Sequence, residues 1–317
     1  MLKFKIIIII YITLISSINV FAQKHLIKIG AGSLLGSDYT VATELCKFIK
    51  SSNKNVRCEV VPAKSSVNNL TLLQQGAIDL SLVHANIAMQ AFNGTGYYAN
   101  SKPMNNISQV LKLHDKTFTV IVRDNEKIKV LADIDGKKIS KGSDTSDGYI
   151  VYDELSKLYG FQEKPIDISL HHDNYAKEFC TGKVDAMILM AGHPNALVRH
   201  IAHHCEINFV HIEDNKIQQF LQQNPEFHKT TLNKGLYSGI TENQNTFSVP
   251  VLLLTTDKID PELLTKFTQY FIKNFLKFKK SQNILNNLNN TTITDEFVPF
   301  NKIAKKVIDQ NNAILSK

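Results

Sequence analysis

The stretch "GKVDAMILMAGHPN", residues 182–195, decides how the rest of the chain is read. Gly182 and Lys183 make a turn, Val184 to Met190 form an apolar run of strand length, and Pro194 opens a helix after Gly192 and His193. An apolar strand that enters a helix through a short loop is one step of an alternating α/β chain. Proline suits a first helical turn, because the N–H it lacks would have no partner there. Open α/β sheets bind ligands at the carboxyl ends of their strands, which makes Gly192 and His193 candidate pocket residues. His193 is open to three roles at this point: catalyst, metal ligand or pocket wall.

The same alternation extends in both directions. Strands are expected at 26–30, 56–62, 78–83 and 117–122, with helices at 38–52 and 66–76 and a short one ending near Phe92. A second series has strands at 138–141, 166–170, 184–190 and 207–212, with helices at 146–160, 174–182 and 194–205. A strand at 247–256 and helices at about 261–280 and 301–315 close the chain. Two strand–helix series followed by a late returning strand imply two α/β lobes, parallel sheets covered by helices, and two crossovers. These fall near 121–124 and 240–248, so the first lobe is discontinuous, 23–122 with 248–317, and the second is 123–247.

Composition narrows the function. Residues 1–22 pair two lysines in "MLKFK" with the uncharged run "IIIIIYITLISSINV" and the small residue Ala22, the layout of a secretory signal peptide cleaved after Ala22. No other run is long enough to span a bilayer, so an exported, periplasmic protein is expected. The net charge of +7 is spread along the chain without a basic stripe interleaved with aromatics, which argues against nucleic acid as a partner. Four cysteines in an oxidising compartment allow three pairings; Cys46–Cys58 and Cys180–Cys205 close the shortest loops, and four buried thiols are the plainer alternative.

Several loops carry candidate ligand groups. "GAGSLLGSDY" (30–39) lets a ligand approach backbone N–H groups at a helix N-terminus around Gly32 and Ser33, but lacks a Walker lysine. Ser66 caps the next helix or offers its hydroxyl and N–H to a carboxylate. His84 and Asn86 stand where a strand turns into a helix. His171, His172, His200 and His204 raise a metal question, with His200 and His204 on one helix face and no third ligand evident. No G-x-S-x-G is present, no cysteine stands as a nucleophile if all four are bridged, and no cofactor motif is complete. An enzyme is therefore not expected.

Taken together, "GAGSLLGSDY", "SSVNNLTLLQQGAIDLSLVHANIAMQAFNG" (65–94), "VLADIDGKKISKG" (130–142) and "GKVDAMILMAGHPN" resemble, in order and over nearly the whole mature chain, the TAXI family, the periplasmic solute receptors of tripartite ATP-independent (TRAP) transporters. The resemblance implies a type II periplasmic binding protein, two α/β lobes with a hinge and a central ligand cleft. It would bind a small anionic or zwitterionic solute, such as glutamate, glutamine or a 2-oxo dicarboxylate, and hand it to a membrane permease, as a monomer without cofactor. It also implies the two short-loop disulfides. Gly32, Ser33 and Tyr39 match the family's first loop, with Asp38 and Thr40 where Tyr and Pro are usual. Ser66, Val67 and Asn69 match its S-V-x-N motif, behind Lys64 and Ser65 in place of two glycines. His84, Ala85 and Asn86 replace Gln-Ser-Asp. Gly142 and Ser146 keep part of a G-x-x-G-S-G pattern, in which Thr145 and Asp147 replace glycines. The resemblance thus implies backbone N–H groups near Gly32–Ser33, Ser66 and Ser146 as holders of the solute's polar head, with Tyr39, Asn69 and His84 shaping the pocket. A periplasmic metal-binding protein and a ligand-sensing partner of a membrane receptor are the alternatives.

Overall fold

A computed structural model describes residues 25–34, 36–124, 127–170 and 174–311. The expected signal peptide and the His171–His172 pair lie outside them. The elements run β1 (His25–Ala31), α1 (Ser37–Ser52), β2 (Val56–Pro62), α2 (Ser66–Gln74), β3 (Leu80–His84), α3 (Ala85–Asn93), β4 (Ile107–Arg123), β5 (Lys138–Ser140), α4 (Asp147–Ser156), β6 (Ile166–Asp167) and α5 (Tyr175–Cys180). They continue with β7 (Ala186–Ala191), α6 (Ala196–His204), β8 (Ile207–Phe209), α7 (Asp214–Gln223), β9 (His228–Leu232), β10 (Gln244–Thr256), α8 (Pro261–Lys273), α9 (Phe275–Lys279) and α10 (Lys302–Gln310).

One mixed sheet carries the molecule, in the order β2-β1-β3-β10-β4-β7-β5-β6, with β8 on β4 and β9 on β10. β1 pairs β2 and β3 in parallel, and β7 pairs β5 in parallel, the α/β arrangement expected from the alternation. The two central strands run antiparallel and belong to both halves of the sheet. β4 lies along β10 from Ile107 to Thr117, then along β7 from Thr117 to Val122. β10 lies along β9 up to Ser248, then along β4 and β3. Both strands therefore change partners at the pair Thr117–Ser248, whose hydroxyls are 2.8 Å apart. β4 begins at Ile107, ten residues before the strand expected from Thr117. Pro250 sits at a register shift in β10, where a residue without an N–H leaves no ladder bond unmade.

Apolar residues fill both sides of the sheet. Val41, Leu45 and Ile49 of α1 meet Leu263, Phe267 and Phe271 of α8 over the β1 side. Phe179, Val198 and Ile201 pack on the β7 side. A third cluster, from Leu70 and Val83 to Phe118 and Ile188, runs through both halves along β4. Gly76, with φ +69°, stops the chain after α2, as a left-handed glycine does. Both short-loop disulfides are formed, Cys46–Cys58 between α1 and β2 and Cys180–Cys205 between α5 and the end of α6. Three helices differ from expectation. Pro194 precedes α6 and Asn195 caps it, accepting from the N–H of Val198. The helix expected over 261–280 breaks at Asn274 into α8 and α9. α7, together with β9, was not expected at all; its ten residues are mostly Asn, Gln and Lys, and only Ile217 and Phe220 bury.

Candidate functional site

The loops at the carboxyl ends of β1, β3, β5 and β7 converge where the two halves meet. From the first half comes a buried charge cluster that starts on α1. Asp38 accepts from Nε2 of His114 at 2.8 Å and pairs with Nζ of Lys116 at 2.9 Å; Lys116 also donates to Oγ of Ser37 at 2.8 Å. Burial on its own would raise the Asp38 pKa. The Lys116 ammonium and the His114 bond outweigh it and hold the carboxyl far below the usual carboxylate range. Asp38 is the departure from family pattern noted in the sequence, and its partners explain it: a buried ammonium on β4 needs a counter-ion. His114 and Lys116 were missed because His114-Asp115-Lys116 interrupts an otherwise apolar run, so that part of β4 reads as a loop.

The second cluster crosses between halves. The backbone N–H of Ser66 points at the carboxylate of Asp147, with Oδ1 and Oδ2 at 3.3 and 3.4 Å, and Oδ1 lies 3.8 Å from Nδ1 of His84. Burial pulls the His84 imidazole below its ordinary pKa against the attraction of Asp147, and its Nδ1 has no hydrogen-bond partner. Ser66 caps nothing with its hydroxyl, which accepts from the N–H of His84 at 3.0 Å; Ser65 is the cap of α2, accepting from Asn68. Asn69 turns away from solvent and donates to the carbonyl of Leu82 at 2.9 Å, bracing β3. Asn86 is fully buried, and neither atom of its amide has a partner. Ser146 caps α4, accepting from Tyr149, while its hydroxyl donates to the carbonyl of Lys141. A second contact between halves joins Gln90 Nε2 to Glu154 Oε1 at 2.9 Å.

His193 answers the question its loop raised. Its Nε2 meets Oγ1 of Thr119 at 2.8 Å and its Nδ1 meets the hydroxyl of Tyr237 at 2.6 Å. The Thr119 hydroxyl donates to the carbonyl of Thr117 at 3.1 Å and so accepts from Nε2–H of His193, while the Tyr237 hydroxyl, which accepts the N–H of Asn195 at 2.6 Å, donates to Nδ1. Burial, then the nearby Lys116, lower its pKa to about 3. The ring is a neutral brace in the wall with both nitrogens engaged, which is no arrangement for a proton shuttle. Beside it, Gly192 leaves no room for a side chain, since a Cβ there would collide with Ile284 and with Ser37 of the opposite half.

The remaining candidates add no hydrogen bond to these clusters. Tyr39 packs against the apolar cluster under α1, Gly32 lies against the Asp38 side chain, and Ser33 is exposed. A cavity of about 580 Å³ opens alongside His114, Thr117, His193, His228 and Ser248; of the candidates expected from sequence, only His193 lines it. His200 and His204 stack on α6 with ring centroids 4.4 Å apart, and no group of three potential ligands is placed to hold a metal among the described residues. No helix among the described residues is long and apolar enough to cross a membrane.

The chain resembles several solved structures in overall course. A Xanthomonas citri protein bound to ATP is 12% identical, with 92% of this chain and 97% of that one covered and a TM-score of 0.48. A putative L-cystine ABC transporter from Listeria monocytogenes is 16% identical, covering 81% and 94%, with a TM-score of 0.48. The alkanesulfonate-binding protein from Xanthomonas axonopodis pv. citri, bound to MOPS, is 14% identical, covering 92% and 84%, with a TM-score of 0.46. None of these says what this chain binds. A family model matches from Ile29 to Ile308, nearly the whole described chain, and by it the chain belongs to the NMT1-like family, whose members are solute-binding proteins of the type 2 periplasmic kind and not enzymes.

Proposed function

We propose that this chain is the extracytoplasmic receptor of a TRAP transporter of the TAXI type. It is exported with its leader removed after Ala22, acts as a monomer, and delivers a small amino acid or carboxylate, such as glutamate, glutamine or a 2-oxo dicarboxylate, to a membrane permease. On this reading one lobe comprises 23–122 with 248–317 and the other 123–247, and they close on the solute about the Thr117–Ser248 crossing. The observation that supports it most is the pair of facing helix N-termini. Those of α2 and α4 meet across the boundary between halves, through Ser66 and Asp147, over two strands that both halves share. A ligand that touches both sides of such a boundary stabilises the closed form by its differential contacts.

A thermal-shift screen of the mature protein against amino acids, small carboxylates and sulfonates tests it. A solute bound only by the native state adds about 2.7 kcal/mol of stability at a hundred times its Kd. A shift with one class, lost in His84→Ala, is the expected result; no shift with any class would count against the receptor. One of the similar solved structures is named as a putative L-cystine ABC transporter, which makes an ATP-driven importer the rival carrier. Transport reconstituted with a TRAP permease, dependent on an ion gradient and independent of ATP, separates the two carriers.

A further inference from the structure

Asp147 behaves toward the opposite half as a bound anion would. Its two carboxylate oxygens take the N–H of Ser66, the first residue of α2, at 3.3 and 3.4 Å. A helix N-terminus offers unpaired N–H groups and a favourable dipole to negative charge. A second feature points the same way independently. His84 is 2% exposed, its Nδ1 has no hydrogen-bond partner, and that atom faces the same carboxylate at 3.8 Å. The place where a solute carboxylate would sit is held by the chain's own.

The local charge balance then limits what else can enter. Asp38 is matched by Lys116 at 2.9 Å. Among the described residues no lysine or arginine pairs with Asp147, and the basic group that faces it is the buried His84, which burial disposes to the neutral form. The closed boundary therefore holds one carboxylate without a cation. A solute bringing only carboxylates would set like charges side by side away from water, which is strongly unfavourable. One bringing an ammonium group would gain charge-assisted hydrogen bonds. A carboxylate has about four lone-pair sites, so Asp147 can keep the Ser66 N–H and still accept from an ammonium group.

We propose that Asp147 sets the charge class of the solute: the receptor takes an amino acid or other primary amine through an ammonium contact with Asp147, and refuses a dicarboxylate that has no amino group. The inference rests on the receptor reading above and narrows its solute list.

Isothermal titration of the mature protein with glutamate, glutamine and putrescine, against 2-oxoglutarate and glutarate, tests it. Glutamate and glutarate differ in the amino group alone, and 2-oxoglutarate carries an oxo group in its place. The expected result is binding of at least one amino-bearing probe and none of the two dicarboxylates. Asp147→Asn should then weaken the amino-bearing probe by about 10- to 100-fold, the loss of a hydrogen bond to a charged group. Asp147→Glu should restore most of it, with thermal melts verifying that both variants fold. If 2-oxoglutarate binds the wild type as tightly as glutamate, or if Asp147→Asn leaves the amino-bearing probe unaffected, the charge-class assignment is overturned and the receptor stands. If no probe of either class binds or changes the radius of gyration, the receptor reading fails and takes this inference with it. Should neither variant fold, the wild-type preference between glutamate and 2-oxoglutarate decides alone.

Discussion

Asp38 and Lys116 are buried together, so each is costly without the other. Asp38→Asn should cost about 3–5 kcal/mol in chemical denaturation, because it leaves an ammonium buried and unpaired, while Asp38→Asn combined with Lys116→Met should recover most of that. His193 gives a pH dependence of defined sign. Its folded pKa of about 3 lies below the 6.5 of the free side chain, so between those values the unfolded chain binds the proton and the native one does not. Stability should fall as the pH drops from about 6.5 towards about 3, and His193→Gln should flatten that slope in melts taken across the range. Asp38 acts in the same direction at lower pH, since its folded pKa lies below its unfolded value of 3.8 and its contribution is lost on acidification below that point. The sequence singled out His84, Asn86, Gly192 and His193 because each stands at or just past the end of a strand: His84 closes β3, Asn86 lies in the first turn of α3, and Gly192 and His193 follow β7. Asp147 was visible only as an out-of-pattern residue. Its role depends on a residue 81 positions away, a proximity that no periodicity encodes.

At the level of elements, one disulfide ties α1 to the following strand β2, and the other ties α5 to the end of α6, past β7. They span sequence separations of 12 and 25. Loop-closure entropy assigns about 3 kcal/mol to each, slightly more to the longer loop. Replacing either pair by alanines should lower the unfolding free energy by that order, and non-reducing peptide mapping of periplasmically produced protein should recover Cys46 with Cys58 and Cys180 with Cys205. Ser65→Ala removes the cap of α2 and should cost about 1 kcal/mol, whereas the sequence pointed to Ser66 for that task. Alternation located most strands and helices, yet it shortened β4. Apolar runs reveal a strand only where both faces are buried among apolar neighbours; where a strand also carries His114 and Lys116 inward, its burial is real but its composition is polar. The break at Asn274 escaped for the opposite reason, since apolar residues continue at helical spacing through it.

For the whole molecule, the close fit of Gly192 against Ser37 and Ile284 implies that a side chain there would wedge the halves apart. Gly192→Val should enlarge the radius of gyration in solution scattering and weaken any solute about tenfold, the cost of 1.4 kcal/mol placed on closing. The shared strands have a further consequence, in the order of synthesis. Leu80 to His84 of β3 wait for Val251 to Thr255 of β10, so the first half lacks its neighbouring strand until the second half has been made. Pairings that distant form slowly. A nascent chain ending before Gln244 exposes an unpaired apolar edge at β3, the kind of edge that recruits a neighbour. Ribosomal stalling just short of that point should yield aggregates, whereas stalling beyond Thr256 should yield a chain able to complete its sheet.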